Sequence, residues 1–475
     1  MGKQTTIEDG VGQLVLQIVF ETNDRTEETE ENGSFASTRS SSIEILPERK
    51  RKLYSLMDKV YALPNLMLAW HHVASNKGKP GIDRMTIEKF TEGALERLGL
   101  LSEDLHKKTY RPLPVRRVYI PKSGGGNRPL GIPSVRDRIV QQALLQILEP
   151  HFEARFSKYS HGFRKGRGCH TALGIVDRAV RHGKYQWVVD ADIQTFFDSV
   201  DHSLMLNFLN EVVSDGSVLN LIELILKAGV VEPDTVHSEP TELGTPQGGP
   251  LSPLLANIYL HHFDVEIGKA GYGLVRYADD FVIFAKSENE AVCALELSRS
   301  LLEGALRLKL HPEKTRIVSI DAGFEFLGFR YFRDSQTGVL QKEVRRKSVL
   351  RFRETIRKHT PKLKTQRRVK PRNVTYARLK DNKQVEEMIR GLNAFLEGWH
   401  WYFKTVWSKY PQTPFKHLDS YVRGRIRLAI TGRVGAGWWN VVIKNDDLRR
   451  LGLTTLDTWQ SKYLMDQLVC PARKS

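Results

Sequence analysis

Cysteine is scarce in this chain of 475 residues, and Cys169, Cys293 and Cys470 lie far apart. They form no CxxC pair and no zinc-type spacing, which excludes a disulfide framework and a cysteine zinc site and leaves isolated, inert thiols in a reducing compartment. Long apolar runs are missing too. No stretch approaches the roughly 20 residues a spanning helix needs. The short apolar patch 11–20 follows Glu8 and Asp9, where a secretory signal carries positive charge. The expectation is a soluble, cytoplasmic chain with no membrane partner, nucleoid-associated when it acts on DNA. No repeat of fixed period is present. Acidic residues are the third deficit: 55 Asp and Glu against 72 Lys and Arg, a net charge of +17. A chain this basic usually meets a polyanion, because each cation placed on a phosphate releases counterions. An acidic lipid surface is the rival, but no basic amphipathic helix flanks an apolar span.

The deficit is uneven. The first 46 residues hold nine acidic and three basic side chains and a Ser/Thr cluster at 34–42, a composition that favours disorder. From 344 to 380 there are fifteen Lys or Arg and one acid, Glu354. Between these extremes the hydrophobic pattern alternates. Helical spacing predicts helices over 53–73, 138–156, 253–263 and 291–306, and β-type runs predict strands over 115–120, 187–192, 274–277, 281–285 and 324–331. The pattern is α+β with antiparallel hairpins. Beyond 344 it is mostly helical, and the apolar residues of 385–403 form one core-facing stripe.

Two apolar β runs flank Asp279-Asp280 in Tyr277-Ala278-Asp279-Asp280, the pattern of a hairpin with carboxylates at its tip. A bare Asp-Asp is also what a surface turn carries. The second run, Trp187-Val188-Val189-Asp190-Ala191-Asp192, also ends in carboxylates. Converging aspartates suit divalent Mg²⁺, a hard cation that takes oxygen ligands and substrate phosphates. Two such ions about 3.5–4 Å apart activate a 3′-hydroxyl and stabilise a leaving pyrophosphate.

Tyr277-Ala278-Asp279-Asp280 resembles the YxDD box of reverse transcriptases, and Asp192 with Phe197 resembles their first palm motif. Several blocks in order resemble group II intron reverse transcriptase/maturases over roughly 53–430. The resemblance implies a right-hand polymerase fold, with fingers (48–170), an antiparallel-sheet palm (171–335) and a helical thumb/maturase segment (336–430). A disordered arm (1–47) precedes it and a short basic region (431–475), a possible DNA-binding remnant, follows. It implies an RNA-directed DNA polymerase with Asp192, Asp279 and Asp280 as catalytic metal ligands, joined by the carbonyl of Ile193, and two Mg²⁺ ions replaceable by Mn²⁺. Lys314, in Leu310-His311-Pro312-Glu313-Lys314-Thr315, becomes the general acid for pyrophosphate. Asp190 and Asp198 are expected to be structural or to support the metal ligands from behind.

For the nucleotide, the resemblance implies Lys122 and Arg128 on the triphosphate, across Ser123-Gly124-Gly125-Gly126-Asn127. Phe197 becomes a steric gate against the 2′-hydroxyl, and Gln247, in Gly244-Thr245-Pro246-Gln247-Gly248-Gly249, lies by the nascent base pair. Arg164, Lys165 and Arg167, in Gly162-Phe163-Arg164-Lys165-Gly166-Arg167, are expected on the template backbone, with His161 a packing residue. Phe326-Leu327-Gly328-Phe329 resembles the primer-grip hairpin. Gly78-Lys79-Pro80-Gly81-Ile82-Asp83 resembles a block absent from retroviral polymerases. Gly391 to Phe403 resembles the maturase domain. Arg345, Arg346, Lys347, Arg351 and Arg353 are expected to hold nucleic acid.

The implied partners are group II intron RNA, an RNA template with DNA primer, target DNA and deoxynucleoside triphosphates. Oligomeric state is left open. Only 45 residues follow Ile430, without paired cysteines, so the zinc-containing nuclease of many relatives is expected to be missing. Insertion would then be at single-stranded or already nicked DNA, or with a host replication fork. The alternatives are a maturase with a vestigial polymerase site and a domesticated enzyme of defence or DNA repair.

Overall fold

The computed structural model describes residues 52–121, 126–233, 242–245, 248–363, 376–407, 413–431 and 443–469. The acidic arm, Lys122, Gln247 and Cys470 lie outside the described residues. The fold is α+β, as expected. Among the described residues no helix is long and apolar enough to cross a membrane. The chain divides into two compact units that interleave in sequence: 1–164, 193–266 and 299–310 form the first, and 165–192, 267–298 and 311–475 the second.

The first unit is built on helices and one small sheet. Its hairpin pairs β1 (Val115–Pro121) with β2 (Asn127–Ile132) in antiparallel register from Arg116↔Ile132 to Pro121↔Asn127. β4 (Val230–Val231) adds to β1 in parallel. Where sequence spacing predicts one helix over 53–73 there are two, Met57–Tyr61 and Leu63–Ser75. Ala62 leaves helical geometry, and Pro64, which has no N–H to donate, is seated in the first turn of the second helix. The helix expected over 138–156 runs Val135–Glu153. It starts earlier because the Ser134 hydroxyl accepts from the Asp137 amide. Helix Leu63–Ser75 is tied to it by Asn65, whose Nδ2 donates to the Ala143 carbonyl at 3.2 Å and whose Oδ1 accepts from Gln146 at 2.7 Å.

The second unit holds the larger sheet. β3 (Trp187–Gln194) passes from the second unit into the first after Asp192. Within the second unit it lies between β6 (Asp280–Ala285) and β8 (Arg316–Ser319), and β5 (Gly273–Tyr277) pairs with β6, all antiparallel. Its last two residues pair with β7 (Lys309–Leu310) in the first unit. Val188 to Ala191 and Phe281 to Ala285 are buried without alternation, as in strands covered on both faces. A second sheet joins β9 (Phe324–Phe326), β10 (Phe329–Arg333) and β11 (Leu340–Val344). The strand expected over 324–331 is thus a hairpin, turned at Leu327 and Gly328, both at positive φ.

Helices Arg346–His359, Lys383–Phe403 and Thr413–Thr431 share one core with these sheets. Leu392, Leu396 and Phe403 pack with Phe326, Phe329 and Phe352, each such fully buried side chain contributing roughly 1.5–3 kcal/mol. The stripe over 385–403 is core, as the spacing predicts.

Candidate active site

The register of β3 against β6 places Asp192 opposite Asp280, and that of β5 against β6 pairs Tyr277 with Asp280. Ala278 and Asp279 are then the two-residue turn. Ala278 stands at φ +59°, since tight hairpins need a positive φ to match strand twist. Its carbonyl accepts a 2.9 Å hydrogen bond from Arg276 Nη1, and Arg276 is fully buried. Sequence reading passed over Arg276, though an arginine inside an apolar β run was the signal for it.

The carboxylates crowd one another. Burial, and then the charges of Asp190, Asp192 and Asp279, push Asp280 up to about 8, with Arg345 opposing. Asp190 faces Arg316 across β8 and accepts from its Nε and Nη2 at 3.0 and 2.8 Å, which fits the structural part expected of it. Lys314 ion-pairs with Asp192. Among the described residues no group of three or more His, Cys, Asp or Glu side chains stands arranged to hold a metal ion. The donor set nevertheless fits a divalent cation in its chemistry: hard oxygens on adjacent strands, whose mutual repulsion such a cation relieves.

Burial, and then the neighbouring Cys169 thiol, push the Tyr277 hydroxyl up to about 12. Tyr402 donates to the Leu327 carbonyl at 2.9 Å, and its own carbonyl meets His170 Nε2 at 2.8 Å.

In the first unit a cavity of about 530 Å³ is lined by Arg128, Phe197 and Gly248 to Pro250, with Arg138 and Phe163 among the remaining lining residues. Thr195 at φ +45° starts the short helix Phe196–Ser199 that carries Phe197. The Thr245 amide donates to the Phe197 carbonyl at 2.7 Å. Gly248, at φ +127°, approaches β2 so closely that a Cβ would lie 2.6 Å from the Gly131 carbonyl oxygen. Two of the expected nucleotide residues, Arg128 and Phe197, therefore share one cavity. Ile193 is buried, its backbone paired with Leu310.

Arg164 departs from the expected template contact. It is buried, with Nε and Nη2 on the Glu153 carboxylate at 2.6–3.0 Å and Nη1 on the Ser157 and Ser160 carbonyls at 2.6 and 2.8 Å. A phosphate would have to break that set, so its part is structural. His161 is buried, as expected. Lys165 is exposed and Arg167 partly so. Arg346, Lys347, Arg351 and Arg353 are exposed on helix Arg346–His359, whose Phe352 and Ile356 face the core. Arg345 is half-buried, its Nε on Ser348 at 3.3 Å.

Residues 120–331 match the reverse transcriptase (RNA-dependent DNA polymerase) family model, and residues 372–440 the group II intron, maturase-specific domain. The chain is 36% identical over 300 residues to protein YkfC of Escherichia coli (strain K12), an alignment covering 54% of this chain and 78% of YkfC. It is 33% identical over 329 residues to the group II intron-encoded protein LtrA of Lactococcus lactis subsp. cremoris, covering 55% of this chain and 54% of LtrA. It therefore spans about half the length of LtrA. A shorter match, 46% over 97 residues, covers 20% of this chain and 13% of nuclear intron maturase 1, mitochondrial, of Arabidopsis thaliana. With a palm-type pair of aspartate strands and a maturase helix in one core, and with these matches, the chain belongs to the family of group II intron reverse transcriptases that carry a maturase-specific domain.

Proposed function

We propose that the protein is an active RNA-directed DNA polymerase that copies its intron RNA onto a DNA primer at target DNA, and that it binds the same intron RNA to assist splicing. The observation that carries the reading is the register that sets Asp192 opposite Asp280, with Asp279 in the adjoining turn. Asp192, Asp279 and Asp280 would hold two Mg²⁺ ions, or Mn²⁺ in their place, which when bound supply charge neutralisation and a more acidic primer 3′-hydroxyl. That hydroxyl gives its proton to solvent, its oxygen bonds to the α-phosphorus of a deoxynucleoside triphosphate, the bond to the bridging oxygen breaks, and pyrophosphate leaves. Lys314, ion-paired with Asp192, gives its proton to the leaving pyrophosphate once that carboxylate is engaged elsewhere. Arg128 takes triphosphate oxygens. The exposed cations of helix Arg346–His359 and Lys165 take nucleic-acid phosphates, which sets affinity without reading sequence.

Primer extension on an RNA template tests the reading. Wild type should extend with deoxynucleotides, and intron RNA should splice faster in its presence. Splicing help without any extension would leave a maturase with a vestigial polymerase. Phe197→Val opens space under the sugar. Discrimination against ribonucleotides should fall by about tenfold or more, the scale at which pocket size separates substrates. Unchanged discrimination in that variant removes Phe197 from the gate.

A further inference from the structure

The cavity in the first unit has a wall that the incoming nucleotide does not account for. Beyond Arg128, Phe197 and the Gly248 to Pro250 loop, it is lined by Val73, Asn76, Gly78, Arg138, Gln142 and Phe163. Arg138 is 8% exposed. Its Nη2 donates to the Lys79 carbonyl at 2.9 Å, and its Nε is buried with no hydrogen-bond partner. Gly78 makes room for the guanidinium, since a Cβ there would lie 2.1 Å from Nη1. Among the described residues no carboxylate pairs with Arg138 within 4.0 Å; Asp83 acts on it only at longer range. A buried cation in that state is costly unless an anion meets it, and an orphaned N–H donor calls for an acceptor. Phe163 lines the same cavity. It is 49% exposed and sits at φ +59°, a strained backbone for a bulky residue and one often found where a ligand is gripped.

We propose that this wall seats the templating nucleotide, with Arg138 donating Nε–H to a phosphate oxygen of the template strand and Phe163 stacking on its base. The proposal rests on the polymerase reading. Templated synthesis requires the incoming nucleotide to pair with a template base in one enclosure, so the wall opposite the incoming nucleotide faces its partner. A buried cation suits the phosphodiester and an exposed aromatic suits the unstacked base, the two recurring handles for a single strand.

Equilibrium binding of two RNA-template/DNA-primer duplexes tests it. One is blunt and the other extends the template by a single nucleotide. Wild type should bind the extended duplex more tightly. Arg138→Gln and Phe163→Ala should each cut that advantage by about tenfold, within the range of charged hydrogen bonds and base stacking, and leave the blunt duplex unchanged. Arg138→Lys keeps the charge without a donor at Nε and should recover only part. Phe163 is exposed, so its variant stays folded and keeps the test readable even if Arg138→Gln loosens the Lys79 loop. An advantage unchanged in both variants overturns the proposal. So does a raised KM for the deoxynucleotide at unchanged advantage, which would give this wall to the incoming nucleotide. Absence of extension by wild type would instead sink the polymerase reading, and the binding comparison would still report on Arg138.

Discussion

Asp279→Asn should abolish DNA synthesis and leave intron RNA binding within about twofold of wild type, since it would remove a proposed cation ligand and no proposed phosphate contact. Asp279 lies in the turn between β5 and β6, next to the Asp280 that faces Asp192. An amide keeps the shape of the carboxylate but not its charge, and it binds a hard cation weakly. Losing several kcal/mol of charge stabilisation corresponds to a fall on the order of 10³-fold in rate. The cations proposed to hold RNA lie on other elements, among them the helix Arg346–His359. A single-turnover extension assay beside filter binding separates the two effects. A variant that extends primers at wild-type rate places the chemistry elsewhere, and one that loses RNA binding as steeply as synthesis points to a damaged fold.

Lys342→Met should be among the most destabilising single changes in the second unit. Lys342 is 0% exposed. Its Nζ donates to Asp177 at 3.0 Å and to Thr405 at 3.2 Å, and stands 4.5 Å from the centre of the Phe329 ring. Its backbone exchanges hydrogen bonds with Trp407. Burial lowers the lysine's pKa and Asp177 opposes that, so the carboxylate is what keeps the charged form in place. Tyr331 donates to the other oxygen of Asp177 at 2.8 Å. Without Lys342 the carboxylate is left in the core edge with that one donor. Breaking a buried pair costs roughly 3–5 kcal/mol, and because the Asp177 side chain keeps some solvent contact the expected cost is about 2–4 kcal/mol. Adding Asp177→Asn removes the stranded charge and should restore more than half of the loss. Denaturant midpoints of the two single variants and the double variant decide it. Additive losses would mean that the pair does not act as a unit.

The sequence disclosed some of this and concealed the rest for physical reasons. Carboxylates at the end of apolar β runs show plainly, because burial on both faces favours a near-continuous apolar pattern in which any charge stands out. Hence β3, β5 and β6 stand almost where the pattern sets them. Asp192 opposite Asp280 is a matter of register, which a single sequence does not contain. The helix over 53–73 was overrun because periodicity persists across a break that Pro64 permits. Arg164 was misread for want of a partner: Glu153, eleven residues earlier on another element, consumes the guanidinium that Gly-rich, basic surroundings made look available. Arg138 was invisible for the same reason. In a helix pattern it is one more polar position, and only the fold shows that it is buried without a carboxylate.

The central claim is that the carboxylates of β3 and of the β5–β6 turn hold divalent cations together. Electron paramagnetic resonance of Mn²⁺ titrated into the protein bound to primer–template and a non-hydrolysable deoxynucleotide measures this directly. The account predicts that Asp192→Asn and Asp279→Asn each remove bound Mn²⁺ that wild type retains. Wild-type Mn²⁺ occupancy in both variants would contradict it.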